Sequence, residues 1–352
     1  MISVKAPGKL YIAGEYAVVE SGTPAIIAAV DQYITATIQE ANGSYGKIQS
    51  NQYSQSIQWN LVNDSIHLLN NDKSFDYVIS SLMVMDNYIS EMNISKKIFN
   101  ININSTLNSN DGKKYGLGSS AAVTVVIVKA INKFYKLNLS PLQIFKLSAI
   151  AHLNVQGNGS LGDVAASSFG GWISYSSFDK EWLKNSELSV SEIINTSWPD
   201  LFISPLTPPN DLKLLIGWTG TPASTHNLLD QVKKDSNVGT YTTFIESSKQ
   251  CILKMIDGFK NQDIEVIKQQ IRENSKIIKS LSNSTGVDIE TDQLSSLCEI
   301  VESYNGAGKS SGAGGGDCGI AIVENNSSID LIEDEWKRND IIPLHLNIAE
   351  KE

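Results

Sequence analysis

Gly116-Leu117-Gly118-Ser119-Ser120 runs straight into a stretch whose apolar residues, Val123, Ile127, Ala130, Ile131 and Phe134, fall three and four apart. That period predicts a helix over about residues 121–136, with the glycines and serines at its N-terminus. A helix N-terminus presents backbone N–H groups and the positive end of the dipole, so it attracts anions. Glycines let the backbone approach a phosphate chain closely, and the serine hydroxyls can bind phosphate oxygens or a metal ion. Lys113 and Lys114 add cations directly upstream. The chemistry indicated is phosphate binding; an ordinary serine-capped helix is the bland alternative.

Two better-known phosphate patterns do not apply. A Walker A loop needs Gly-x-x-x-x-Gly-Lys-[Ser/Thr], and before Gly308-Lys309-Ser310 the first glycine position holds Ser303. Gly157-x-Gly159-x-x-Gly162 fits the dinucleotide fingerprint, but that fingerprint follows a strand. Residues 141–153 instead predict a helix, with Ser140 as N-cap and Pro141 at the first position.

Two further segments carry chemistry-grade residues. Lys5-Ala6-Pro7-Gly8-Lys9 joins a strand to a tight Pro-Gly turn and a lysine, and Gly14-Glu15-Tyr16 follows shortly after. Toward the C-terminus, Gly312-Ala313-Gly314-Gly315-Gly316 has four glycines in five positions. Ordering so many glycines is entropically costly, which points to close approach of a ligand or another chain segment. Asp163, ahead of the small helical run Val164-Ala165-Ala166-Ser167, stands where a helix N-cap is common.

The elements that must position these residues follow from pattern. Residues 1–60 are β-rich, with the run from Val18 to Ile38 broken at Gly22-Thr23-Pro24 and at Asp31-Gln32. Helices are predicted over 72–95, 121–136, 141–153, 240–258 and 262–281, the last two divided near Gly258. Strands are predicted at Phe99–Ile103, Leu212–Trp218 and Gly319–Val323. The polar, proline-bearing stretch 176–210 is the expected domain junction.

Composition narrows the function. With 352 residues and 41% hydrophobic content, the chain suits two cores. A formal charge of −10 argues against nucleic-acid binding and requires a local basic pocket for any anionic substrate. No stretch reaches the ~20 apolar residues of a membrane helix, and no signal peptide is visible. Three cysteines without metal-ligand spacing suit a reducing cytoplasm. His67, His152, His226 and His345 are scattered, and each reads as structural or solvated.

Taken in order, Pro7-Gly8-Lys9 with Gly14-Glu15, Gly116-Leu117-Gly118-Ser119-Ser120-Ala121, and Lys309 to Gly316 resemble the three motifs of the GHMP kinases. These are the superfamily of galactokinase, homoserine kinase, mevalonate kinase and phosphomevalonate kinase. Within it the likeness is closest to the bacterial phosphomevalonate kinases. It rests on Tyr16 after the glutamate, Lys113-Lys114 before the glycine–serine segment, Gly157 to Asp163, and Lys309 to Gly319.

The resemblance implies an α+β, two-domain fold. A domain like ribosomal protein S5 domain 2 would span 1–205, and a ferredoxin-like domain 206–352. It implies transfer of the γ-phosphoryl group of ATP to (R)-5-phosphomevalonate with Mg²⁺. Gly116, Leu117, Gly118, Ser119 and Ser120 would hold the nucleotide, and Ser120 would ligate the metal. Lys9 and Asp163 would be catalytic. Tyr16, Lys114, Ser160, Ser224, Lys309, Ser310, Gly312 and Ala313 would face the acceptor. Mevalonate kinases place a metal-binding glutamate eleven residues before the aspartate; here that position is His152, expected to be an ordinary packed helix residue. The alternatives are mevalonate kinase or another small-molecule kinase of the superfamily and, from a different class, a non-catalytic nucleotide or metabolite sensor on the same scaffold.

Overall fold

The computed structural model describes residues 1–107, 115–220 and 238–352, and among them the strands form two sheets. The first contains β1 (Ile2–Ala13), β2 (Pro24–Glu40), β3 (Gly46–Ser50), β4 (Ser56–Val62), β5 (Ser65–Leu68), β6 (Phe99–Ser105), β7 (Trp172–Ser176) and β8 (Phe202–Leu206). Their order is β5-β4-β3-β6-β2-β7-β8, with β1 beside β2, and all pairs are antiparallel except β3 with β6. The second sheet is antiparallel, in the order β10 (Ala307–Ser310), β11 (Cys318–Glu324), β9 (Leu212–Trp218), β12 (Ile342–Pro343). Helices α1 (Asp76–Glu91), α2 (Ser119–Tyr135), α3 (Pro141–Gln156) and α4 (Gly162–Phe169) pack together, with α2 and α4 against β1 and β2. Short α5 (Lys180–Lys184) and α6 (Val190–Asn195) lead to β8. Helix α7 (Val238–Asn261) packs along α8 (Ile264–Thr285) and against β2 and β8, while α8, α9 (Asp292–Ser303) and α10 (Ile329–Arg338) cover the second sheet, where Leu297, Val301, Val323, Ile332 and Trp336 form one core. The fold is the α+β arrangement that the motifs implied.

Helix α2 is held by burial more than by propensity. Val123, Thr124, Val125, Val126, Ile127 and Val128 are β-branched, which costs rotamer freedom in a helix. Val125, Val126, Ile127 and Val128 have no exposed surface, and each such side chain contributes about 1.5–3 kcal/mol on leaving water. The expected single stripe is therefore too narrow: Val123 and Phe134 are only half-buried, while most other faces are covered. A helix so enclosed gives the glycine–serine terminus a rigid base.

Three local expectations are corrected. Pro7-Gly8 is not a turn: β1 runs through it, with a register shift between Pro7, opposite Tyr33, and Gly8, opposite Val30. The two residues skipped in β2 are Asp31 and Gln32, so the expected strand break is a bulge inside one continuous strand. Gly258 lies within α7, and the chain reverses at Gln262 and Asp263, where Asp263 caps α8 by accepting from the Val266 N–H.

The predicted junction at 176–210 holds α5, α6 and β8; the first sheet ends at Leu206 and the second begins at Leu212. The last residues return to the first sheet. Ile348 bridges Val30, the Asn347 side chain donates to Asp31, and Lys129 on α2 pairs with Glu352 at 2.8 Å. Ser140 caps α3 with Pro141 in its first turn, as the sequence predicted, and Gln143 completes a capping box.

Candidate active site

The three motifs meet at a cleft of about 450 Å³. Its first wall is the start of α2. Gly118 occupies the N-cap with φ 78°, no side chain among the described residues caps the helix, and its first turn holds no acidic residue. Ser119 and Ser120 lie inside the first turn, so the serine-cap alternative does not describe this terminus. The dipole and backbone N–H groups are left for an anion. Glycine is required twice over. A β-carbon on Gly116 would lie 2.5 Å from Asp317 Oδ2, and one on Gly118 would lie 3.2 Å from Lys9 Cε and 3.5 Å from Asp163 Cβ.

Lys9 and Asp163 thus flank the same glycine. Lys9 sits on β1 just past the bulge, its backbone N–H donating to Leu117 O at 2.9 Å and its Nζ to Gly116 O at 2.9 Å. Asp163 is the second residue of α4, whose N-cap is Leu161 in left-handed conformation, so the capping alternative for Asp163 is also set aside. Its Oδ1 accepts from the Val164 N–H at 2.9 Å, which leaves the carboxylate in the first helical turn where the dipole favours negative charge. Behind it, Tyr11 Oη and Ser160 Oγ share a 2.8 Å hydrogen bond, and the Tyr175 hydroxyl donates to Ser160 O. Burial, and secondly the Asp163 carboxylate, push the Tyr11 phenol well up, so it stays neutral at this position.

Ser120 is tied from two helices. Its Oγ lies 3.4 Å from His152 Nε2 on α3, and Tyr77 on α1 hydrogen-bonds to it. The Tyr77 and His152 rings stand 4.8 Å apart. His152, 1% exposed, lines the cleft, which corrects the expectation that it merely packs within its helix. Among the described residues no three His, Cys, Asp or Glu side chains form a metal cluster. The Ser120 hydroxyl on the cleft wall fits Mg²⁺, which keeps several waters and takes its remaining oxygens from phosphates.

The opposite wall joins the first motif to the third. The Tyr16 hydroxyl donates to Ala313 O, the Ser311 hydroxyl to Tyr11 O at 2.8 Å, and the Gly312 N–H to Glu15 Oε1 at 3.3 Å. The glycine run serves two purposes. A β-carbon on Gly314 would lie 2.1 Å from Ile289 O, a contact with another chain segment, whereas one on Gly312 would meet nothing within 4 Å. Tyr16, Ser160, Gly312 and Ala313 line the cleft.

Two expected acceptor residues do not reach this wall. Lys309 has no exposed surface, and its ammonium pairs with Glu15 Oε1 at 2.5 Å and donates to Ser310 O. Ser310 is 2% exposed and lies in β10 beside it. All four residues of β10 are buried, so both faces of the strand are covered and its lysine must find a partner inside. Lys114 and Ser224 lie outside the described residues. Glu15, Ser311 and Asp317 line the cleft although the sequence reading assigned them no role there. An acid directly after Gly14 was the available signal. Gly14 has φ 94°, and a β-carbon on it would lie 2.7 Å from Ala25 Cα, so the chain there is pinned and aims its neighbour.

With this geometry in place, comparison with known proteins is informative. Residues 76–171 match the GHMP kinases N terminal domain and residues 255–341 the GHMP kinases C terminal, together just over half of the chain. The chain belongs to the GHMP kinases and is a phosphotransferase. It is 33% identical to the phosphomevalonate kinase of Streptomyces sp. (strain CL190), over 98% of this chain and 96% of that one. Among solved structures it is similar to Streptococcus pneumoniae phosphomevalonate kinase in complex with phosphomevalonate and AMPPNP, with TM-score 0.87, 30% identity, and 99% and 100% of the two chains covered. It is also similar to a Lin0012 protein from Listeria innocua, with TM-score 0.92, 35% identity, and 99% of each chain covered.

Proposed function

We propose that this cleft transfers the γ-phosphoryl group of ATP to the phosphate of (R)-5-phosphomevalonate, giving ADP and (R)-5-diphosphomevalonate for isoprenoid synthesis. The observation that carries the reading is the convergence of Lys9, Asp163 and the uncapped α2 terminus around Gly118. The likeness to a kinase solved with phosphomevalonate and an ATP analogue supports the choice of both substrates. A non-catalytic sensor has no use for a lysine and a carboxylate on either side of a phosphate-binding helix end.

In this reading the Gly116–Ser120 backbone cradles the nucleotide phosphates. Mg²⁺, held by those phosphates, water and the Ser120 hydroxyl, supplies charge neutralisation when bound. Lys9 stands between donor and acceptor and offsets the charge that builds as they approach. Asp163 orients Lys9 and the nucleophilic oxygen. Tyr16, Ser160, Gly312 and Ala313 form the acceptor side. A cytoplasmic setting belongs to the same reading, supported by three free, buried cysteines; among the described residues no helix is long and apolar enough to cross a membrane.

An ATP-consumption assay with phosphomevalonate, mevalonate, galactose and homoserine in parallel tests the assignment. We expect kcat/KM for phosphomevalonate to exceed that for mevalonate by about a hundredfold or more, because polar groups placed for an acceptor phosphate, the Lys9 ammonium among them, are left unpaired with mevalonate. Equal or greater kcat/KM on mevalonate would overturn it. Ser120→Ala should raise the Mg²⁺ and ATP concentrations for half-maximal rate by about tenfold, in the range seen when groups that orient a metal are removed. The fold should be unchanged by circular dichroism; an unaltered Mg²⁺ titration would mean that Ser120 only joins α2 to Tyr77 and His152.

A further inference from the structure

The ammonium of Lys309 and the carboxylate of Glu15 come from residues 294 positions apart and meet at 2.5 Å, with exposures of 0% and 3%. Neither group could be buried alone at tolerable cost, so each is present because the other is. Their placement joins the first and third motifs at the base of the acceptor wall. Glu15 Oε1 receives both the Lys309 ammonium and the Gly312 N–H, and Gly312 opens on the cleft. Glu15 Oε2 is buried and accepts no hydrogen bond from the described residues, although the residue lines the cleft. Left uncompensated, that carboxylate would repel an anionic acceptor, whose approach the −10 background already disfavours.

We infer that Lys309 is a positioning residue for the acceptor, acting through Glu15. Its ammonium neutralises the carboxylate from behind and fixes Oε1, so that the Gly312–Ala313 backbone stands as one rigid wall on which an anionic acceptor can settle. Lys309 never touches that acceptor. The Ser310 carbonyl, accepting from the same ammonium, holds the strand end from which the loop departs. The Tyr16 hydroxyl on Ala313 O and the Ser311 hydroxyl on Tyr11 O brace the loop on both sides of Gly312. The inference rests on the phosphomevalonate kinase reading and adds the source of its acceptor affinity.

A mutant cycle tests it, with KM for phosphomevalonate and for ATP measured separately on wild type, Lys309→Met, Glu15→Gln and the double variant. The double variant carries no buried charge at the pair, so it provides a foldable background if Lys309→Met alone does not fold. Lys309→Met should raise the acceptor KM about tenfold or more, with the ATP KM within about twofold. In the Glu15→Gln background, removal of Lys309 should change the acceptor KM less than about twofold, because neighbours that act as one unit are not additive. Equal effects in the two backgrounds would mean that Lys309 acts on the acceptor directly. An unchanged acceptor KM in Lys309→Met, or an ATP KM rising in step, would reduce the pair to a structural clamp. Each of these results overturns the inference. If the wild type turns over no phosphomevalonate, it is the functional reading that fails. The cycle is then scored on hydrogen exchange of the 310–316 backbone, where Lys309→Met should speed exchange at Gly312 with Glu15 present but not in the Glu15→Gln background. Equal acceleration in both backgrounds, or none in either, would overturn the inference on that readout too.

Discussion

Lys9→Ala should lower kcat by about 10² to 10³, the loss expected when one preorganised donor to a charge-developing transition state is removed. The expectation comes from where Lys9 is held. Its backbone N–H and its Nζ both bind the loop that precedes α2, so the ammonium is fixed against Gly116 rather than swinging in solvent. Two phosphates brought within bonding distance crowd negative charge, and a fixed cation there needs no reorganisation during the reaction. The measurement is steady-state kcat at saturating ATP and phosphomevalonate, with circular dichroism to show that the variant is folded. A loss below about fivefold would mean that Lys9 is part of the loop's scaffold and leaves charge neutralisation to the metal and the helix terminus.

Asp163→Asn should cost no more than Lys9→Ala, within about 10 to 10² in kcat. Removal of a general base costs about 10² to 10⁴ when a proton must move in the transition state. A phosphate monoester with a second pKa near 6 is already mostly ionised at pH 7, so little proton abstraction is needed. Asparagine keeps the size of Asp163 and one oxygen able to accept from the Val164 N–H, so its loss reports on charge and orientation. The pH profile separates the two accounts. If Asp163 orients, wild-type kcat should follow ionisation of the acceptor phosphate near pH 6. If kcat instead falls only at the pH where an aspartate protonates, and Asp163→Asn proves far more damaging than Lys9→Ala, general-base catalysis is the better description.

Much of this site was legible in the chain because its signals are local. A glycine–serine cluster ahead of a 3.6-residue period says that a helix begins there with its N–H groups free, whatever surrounds it. Ser140 as N-cap and Pro141 after it mark the start of α3 within two residues, and the structure begins the helix there. Strand Leu212–Trp218 followed from composition over a short window. The ordered trio of motifs carried the family itself.

Where the local reading failed, a distant partner had the deciding vote. Pro7-Gly8 looks like a turn in isolation, yet pairing with β2 on both sides keeps the strand continuous and absorbs the irregularity as a bulge. His152 looked like a packing residue, and only the meeting of α1, α2 and α3 puts its ring beside Ser120 in the cleft. Lys309 shows the limit most plainly. Its residue type and its glycine-rich neighbourhood announced an anion-binding cation, and nothing within the motif indicated Glu15, 294 positions away, as its partner. The sequence by itself determined the phosphate-binding helix end, the family and the residue types able to do phosphoryl transfer, since backbone chemistry and periodicity are written in neighbouring residues. Only the tertiary structure decided which charges face the cleft and which are buried against each other. A buried charge is tolerated only where another chain segment supplies its counter-ion, and that pairing is set by how the two sheets pack.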